Sequence, residues 1–211
     1  MSVLRKPKSG VKLLTVAEYL EIERKAEYKS EFYDGIMVPL HHPTPEGMAG
    51  ASKWHNSVKD NLIIEVGSRL KKSPCRTFSS DQRVQTSPTV RYSYPDIVIV
   101  CGKPEFSEID PDSLTNPQIV FEVLSPSTEN LDRGFKFAGY QHQPSLREYV
   151  LVAQDEARIE RYVRQPNGTW NMTIFEGLDG TFALDSIPVE IAMADIYADV
   201  EFCEAGSEES P

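Results

Sequence analysis

Two stretches decide the fold: Gln118-Ile-Val-Phe-Glu-Val-Leu124 and Tyr94-Pro-Asp-Ile-Val-Ile-Val-Cys101. Both are β-branched and almost wholly apolar, which is the pattern of central strands covered on both faces. Each carries one carboxylate that breaks this pattern. Asp96 opens one run directly after Pro95, and Glu122 sits inside the other. Desolvating a charged group in a central strand costs on the order of several kcal/mol unless it is paired or binds a metal. Two such groups on adjacent strands would also repel each other, and a divalent cation between them removes both problems. The competing reading pairs Glu122 with a buried Arg or Lys and has Asp96 cap a turn.

On the N-terminal side, Thr15 and Glu18 have capping-box spacing and open a helix through Val16, Tyr19 and Leu20 that is expected to end near Lys29. Glu31 to Leu40 reads as a hairpin around Asp34-Gly35. A second helix is expected over about 51–71, with a stripe of Trp54, Val58, Leu62, Val66 and Leu70. Arg76 to Thr86 reads as a loosely alternating strand. After Glu122 comes a short helix, about 130–142, with Leu131, Phe135 and Ala138 as its apolar stripe. Strands follow over 148–153, 157–164 and 169–176, the last two joined by an Asn167-Gly168 turn, and a short final turn covers 195–198. This order predicts an α/β or α+β domain, a mixed sheet flanked by helices. Residues 14–200 read as a single domain between a polar N-terminal arm, 1–13, and an acidic C-terminal tail, 201–211.

Composition narrows the class. The chain has 211 residues, 22 basic and 32 acidic, for a net charge of −10. That balance lowers the expectation of nucleic-acid binding without excluding it, because acids that hold metals count in the same sum. No apolar run reaches the length of a membrane span, and the first residues lack a signal-peptide core. Three cysteines, Cys75, Cys101 and Cys203, with no CxxC spacing argue against disulfides and for a reducing, cytoplasmic location.

Asp132 and Lys136 stand four apart on the short helix. One reading is a surface ion pair worth tenths of a kcal/mol. The other takes Lys136 to the end of the Glu122 strand, where it orients a water or neutralises charge on a phosphate. Tyr140 lies one turn further on the same side, as a packing residue or a member of the site. His41, His42 and His142 show no ligand spacing.

The string Tyr94-Pro-Asp-Ile-Val-Ile-Val, Ile119-Val-Phe-Glu-Val-Leu-Ser-Pro-Ser-Thr-Glu, Asp132-Arg-Gly-Phe-Lys-Phe-Ala-Gly-Tyr and Leu146-Arg-Glu-Tyr-Val-Leu-Val resembles the Uma-two family of restriction-endonuclease-like proteins, within the PD-(D/E)XK nuclease superfamily. The resemblance extends over about residues 13–200 and includes Glu31-Phe-Tyr-Asp-Gly, His55 and Ser80-Asp81-Gln-Arg83-Val. It implies a restriction-endonuclease-like core and a metal-dependent endonuclease, a hydrolase acting on DNA with Mg²⁺ or Mn²⁺. Asp96, Glu122 and the backbone carbonyl of Val123 would hold the metal, Glu31 would be a further ligand, and His55, Asp81 and Tyr140 would support the site. The strand lysine of the superfamily pattern is replaced by Leu124, and Lys136 is the expected substitute. Cutting both strands of a duplex is simplest with a homodimer. The alternatives are a nuclease fold that lost its chemistry and serves as a binding or scaffold module, and a hydrolase of another phosphoester.

Overall fold

The computed structural model describes residues 13–40, 51–87, 91–126 and 128–202. The terminal arm, most of the acidic tail and the His41-His42 loop lie outside the described residues.

The first helix, α1 (Val16–Glu23), carries the full capping box: the Thr15 hydroxyl accepts from the Glu18 amide, and the Glu18 carboxylate accepts from the Thr15 amide. It ends well short of Lys29, because Ser30 already belongs to β1 (Ser30–Tyr33). The hairpin from β1 to β2 (Ile36–Pro39) turns at Asp34 and Gly35, with φ of 51° and 93°, the left-handed pair that an Asp-Gly turn supplies. The long helix α2 (Lys53–Leu70) starts at Ser52, whose hydroxyl accepts from the His55 amide. The single strand expected over 76–86 is two, β3 (Cys75–Ser79) and β4 (Arg83–Ser87), separated by a turn at Ser79 to Gln82. Of the Tyr94–Cys101 run only β6 (Ile97–Cys101) is strand; a separate strand, β5 (Arg91–Ser93), precedes it, and the break falls at Pro95, which has no amide hydrogen to give a ladder.

Next come β7 (Ser113–Leu114) and β8 (Ile119–Val123). The short helix that follows is not α throughout. It opens as a π-helical segment, Leu131–Lys136, and continues as α3 (Phe137–Tyr140). The wider turn changes which side chains share a face, so Ala138 of the expected apolar stripe is exposed while Asp132 and Lys136 are buried. The meander β9 (Glu148–Val152), β10 (Arg158–Arg164) and β11 (Trp170–Glu176) is as expected. The chain then adds β12 (Thr181–Ala183), β13 (Glu190–Ala192) and α4 (Met193–Ile196).

These strands build two main sheets. The larger has the order β11-β10-β9-β8-β6-β3, and the smaller has the order β2-β1-β5-β4-β7. In the larger sheet only β8 and β9 run parallel, and the π segment with α3 is their crossover. Alternate residues of the central strands feed two cores. Ile97, Ile99, Ile119, Phe121 and Val123 meet Val58, Leu62, Val66 and Leu70 of α2. Val98, Val100, Val120 and Leu124 meet Tyr140, Tyr149, Val84 and Leu114 on the other face. The fold is therefore α+β, with mixed sheets flanked by helices.

Cys75 and Cys101 stand opposite each other on β3 and β6 and are joined by a disulfide. This corrects the expectation drawn from the cysteine count. Spacing along the chain carries no information about which antiparallel strands lie side by side.

A second buried polar network ties the smaller sheet to its surroundings. Arg83 donates to Asp110 and Ser113, and through Nη1 to the Tyr94 hydroxyl at 2.8 Å. Asp110 is fully buried, so its carboxylate depends on Arg83 and, less directly, on Arg24. Arg83→Met should lower stability by about 3 kcal/mol or more in urea unfolding, because it leaves a buried charge without its main partner. The double change Arg83→Met/Asp110→Leu should recover part of that loss; no recovery would mean that the pair is not what Arg83 supplies.

Candidate active site

Ile97 faces Phe121 in the antiparallel ladder of β6 and β8, so one step on, Asp96 faces Glu122. Glu122 has the even parity of Val98, Val120 and Leu124, which puts it on the sheet face covered by the crossover helix, while the Asp96 carboxylate, just outside β6, meets the Val123 amide and His55 of α2. Glu122 is buried within β8, and Asp96 lies just before β6 with its side chain 16% exposed. The two carboxylates are thus neighbours at one end of the central strand pair.

Lys136 comes in from the π segment. Its Nζ lies 3.0 Å from Asp132 Oδ1, 3.2 Å from Glu31 Oε1 and 3.3 Å from Glu122 Oε2, and its side chain is 5% exposed. The surface-pair reading of Asp132 and Lys136 is therefore not what the structure shows. Leu124, at the strand position where a lysine was expected, packs into the apolar cluster instead.

The remaining residues divide clearly. Glu31 is fully buried; it accepts from the Tyr94 amide at 3.1 Å and from the Tyr33 hydroxyl at 2.6 Å. His55 Nε2 lies 3.2 Å from Asp96 Oδ1, while Asp96 Oδ2 accepts from the Val123 amide at 2.8 Å. Tyr140 is buried in the apolar cluster behind Glu122 and shares a 2.7 Å hydrogen bond with Ser93. Asp81 is not part of the group: its side chain is 89% exposed and it pairs with Lys29. Sequence reasoning missed Tyr33 and Tyr94. Tyr33 had a local signal, since it stands two residues from Glu31 on the same face of β1. The Tyr94 amide, used through a contact across strands, had none.

The electrostatics follow from one cation among several acids. Burial pushes the Lys136 ammonium down, but Asp132, Glu122 and Glu31 outweigh it and hold its pKa well above the usual lysine range. Burial pushes Glu122 up, and the charges of Asp132, Asp96 and Glu31 add to that against Lys136, so its pKa is well above the ordinary carboxyl range. Asp96 goes the other way. Burial raises it, yet the hydrogen bonds from His55 and the Val123 amide, with the Lys136 charge, bring it below the usual value.

This arrangement can be tested for a divalent cation. Among the described residues, no three His, Cys, Asp or Glu side chains converge as a ready cage. Magnesium needs only one or two protein carboxylates, the rest being water and substrate oxygens. Among the described residues, Glu122 Oε1 is buried without a hydrogen-bond partner, and each Asp96 oxygen keeps a lone pair beyond the one bond it accepts. Asp96 and Glu122 therefore fit as the carboxylate pair, with the adjacent Val123 carbonyl as a third oxygen. Glu31 is already committed to Lys136, Tyr33 and Tyr94.

The raised Glu122 has a definite sign in stability. The folded protein holds this proton more tightly than the unfolded chain, so Glu122 costs stability as the pH rises above its ordinary value of 4.5. Glu122→Gln removes that cost. In EDTA at pH 7 the variant should melt higher than the parent, and the gain should vanish below about pH 4.5, where the carboxyl is protonated in both states. A Gln variant that melts lower at pH 7 would show instead that ionised Glu122 stabilises the fold through Lys136.

The chain is similar to several known proteins. The chain is 35% identical over 170 residues to the uncharacterized protein sll1609 of Synechocystis sp., covering 79% of this chain and 89% of that one. It is 30% identical over 200 residues to a second uncharacterized protein of the same organism, slr1290, covering 95% and 100%. A crystal structure described as a "putative nuclease belonging to DUF820", from Anabaena variabilis, superposes with a TM-score of 0.67 at 19% identity, over 87% of this chain and 97% of that one. At that identity the likeness shows the fold. Residues 16–196 match the model of the Uma2 family, described as "Putative restriction endonuclease", and the chain belongs to that family.

Proposed function

We propose that the protein is a divalent-cation-dependent endonuclease that hydrolyses phosphodiester bonds of DNA. The observation that carries this reading is the buried Lys136 ammonium at 3.3 Å from Glu122, with Asp96 opposite Glu122 in the register of the central strands. Asp96, Glu122 and the Val123 carbonyl would hold Mg²⁺ or Mn²⁺. A cation there supplies Lewis acidity toward a phosphate oxygen. Lys136 meets the negative charge that builds on the phosphate during attack by water, and the same ammonium orients that water. Asp132 and Glu31 keep it in place, so it reaches the site already oriented. Tyr140 and Leu124 close the apolar floor behind Glu122 and keep bulk water away from it.

A second reading takes the Glu122–Lys136 pair as structural only, in a nuclease fold kept as a binding module. The three carboxylates that grip Lys136 favour it, because such a grip also serves a purely structural charge. Activity separates the two readings. Plasmid DNA should be cut with Mg²⁺ or Mn²⁺ and left intact with EDTA. Lys136→Ala should lower turnover by about 10²-fold or more while DNA affinity changes little. Full activity in that variant would remove Lys136 from the chemistry.

A homodimer belongs to the same proposal. β11 is an edge strand, paired only to β10, and it exposes Met172 and Ile174 without a lysine or proline to protect the edge. Antiparallel pairing with a second copy about Thr173 would set Met172 against the partner copy's Ile174. Light scattering should give twice the chain mass at micromolar concentration, and Met172→Pro, which removes an amide that points away from β10, should reduce it to one. A single-chain mass for the unmodified protein would exclude the dimer.

A further inference from the structure

We propose that His55 is a positioning residue, which presets the Asp96 carboxylate by donating a hydrogen bond from Nε2 to Oδ1. The proposal rests on the reading of Asp96 as a cation ligand and adds the device that aims it. His55 stands in the first turn of α2, the helix that covers the opposite face of the sheet from Lys136. Its ring, 12% exposed, reaches past the start of β6 to Asp96 at 3.2 Å. The second Asp96 oxygen is taken by the Val123 amide at 2.8 Å. Two donors from two separate elements therefore fix the rotation of one carboxylate, and one lone pair on each oxygen remains for a ligand.

The tautomer follows from the surroundings of the ring. Nδ1 is buried and has no hydrogen-bond partner among the described residues. A proton on Nδ1 would orphan a buried N–H and turn the Nε2 lone pair against the lone pairs of Asp96. A proton on Nε2 avoids both.

The backbone of His55 is held as firmly as its ring. Its amide donates to Ser52 Oγ at 3.0 Å, and the Ser52 hydroxyl in turn donates to the Gln154 side chain just after β9. The end of β9, the start of α2 and Asp96 are thus linked in one hydrogen-bonded chain. Outer-shell partners of this type commonly set metal affinity as strongly as they set activity.

Three variants of the full chain test the proposal: His55→Gln, His55→Asn and His55→Ala. Glutamine carries its amide nitrogen the same number of bonds from the backbone as Nε2, while asparagine carries it where Nδ1 stands. The readouts are Mg²⁺ affinity by calorimetry, kcat and KM on plasmid DNA, and the melting curve. The Gln variant should bind Mg²⁺ and turn over within about threefold of the parent, whereas Asn and Ala should weaken binding and lower kcat by about 10- to 100-fold with KM little changed. If Ala fails to fold, Asn supplies the same arm with polarity retained. Equal Mg²⁺ affinity in all three variants would overturn the proposal, and so would a Gln variant as weak as Asn. Asp96→Asn is the control for the underlying reading. If it keeps full Mg²⁺ affinity, Asp96 is not a ligand and both ideas fall; if it loses affinity while the His55 variants do not, only the role of His55 falls.

Discussion

A single buried ammonium sets the terms for much of this molecule. Lys136 is the cation at which Glu31 of the smaller sheet, Glu122 of the larger sheet and Asp132 of the crossover helix meet. Without it, three buried carboxylates from three elements would face one another in a low-dielectric interior, at a cost of several kcal/mol each. With it, the three elements share one point of closure. Buried ion pairs are weak evidence for stability in themselves, because apolar residues of like volume often do as well. The arrangement makes better sense as a device that holds charge in a fixed place. It also leaves the group over-supplied with acids, whose charges add to the burial that raises the pKa of Glu122.

Around that point the structure is built to limit movement. Tyr94 gives its amide to Glu31 and its hydroxyl to Glu23, and receives a hydrogen bond from Arg83. It then leads through Pro95 directly into Asp96, with a backbone restricted by the proline that follows. The Arg83–Asp110 pair, distant in sequence, in this way steadies the approach to the site. Asp110, in the acidic run from Glu105 to Asp112, is one of the most buried carboxylates among the described residues.

The π segment is the other half of this construction. Its wide turn brings Asp132 and Lys136 inward together, where a continuous α-helix would carry the apolar stripe read from the sequence. Leu124 can then complete the apolar cluster on β8 while the positive charge comes from the helix. Family membership and a shared fold do not by themselves establish an activity. In this fold the ammonium that reaches the Glu122 carboxylate comes from the crossover and not from the central strand.

Local sequence determined those elements whose signals are local. The capping box of α1, the Asp-Gly hairpin, the apolar stripe at every fourth position of α2 and the two apolar central strands all act through neighbours within a few residues, so their physics is complete in the chain itself. Asp96 and Glu122 were conspicuous for the same reason, as charges set in apolar strands. The tertiary structure alone decided the rest. The division into two sheets, the short strands β7, β12 and β13, the Cys75–Cys101 bond, the placing of Asp81 outside the site, and the grip of Glu31, Tyr33 and Tyr94 all rest on contacts between segments far apart in sequence. Pairing across strands depends on register and on which edges meet, and the period of a single segment does not encode either. Lys136 shows the boundary most clearly: its spacing from Asp132 was legible, but its burial against Glu122 required the crossover to fold back over the sheet.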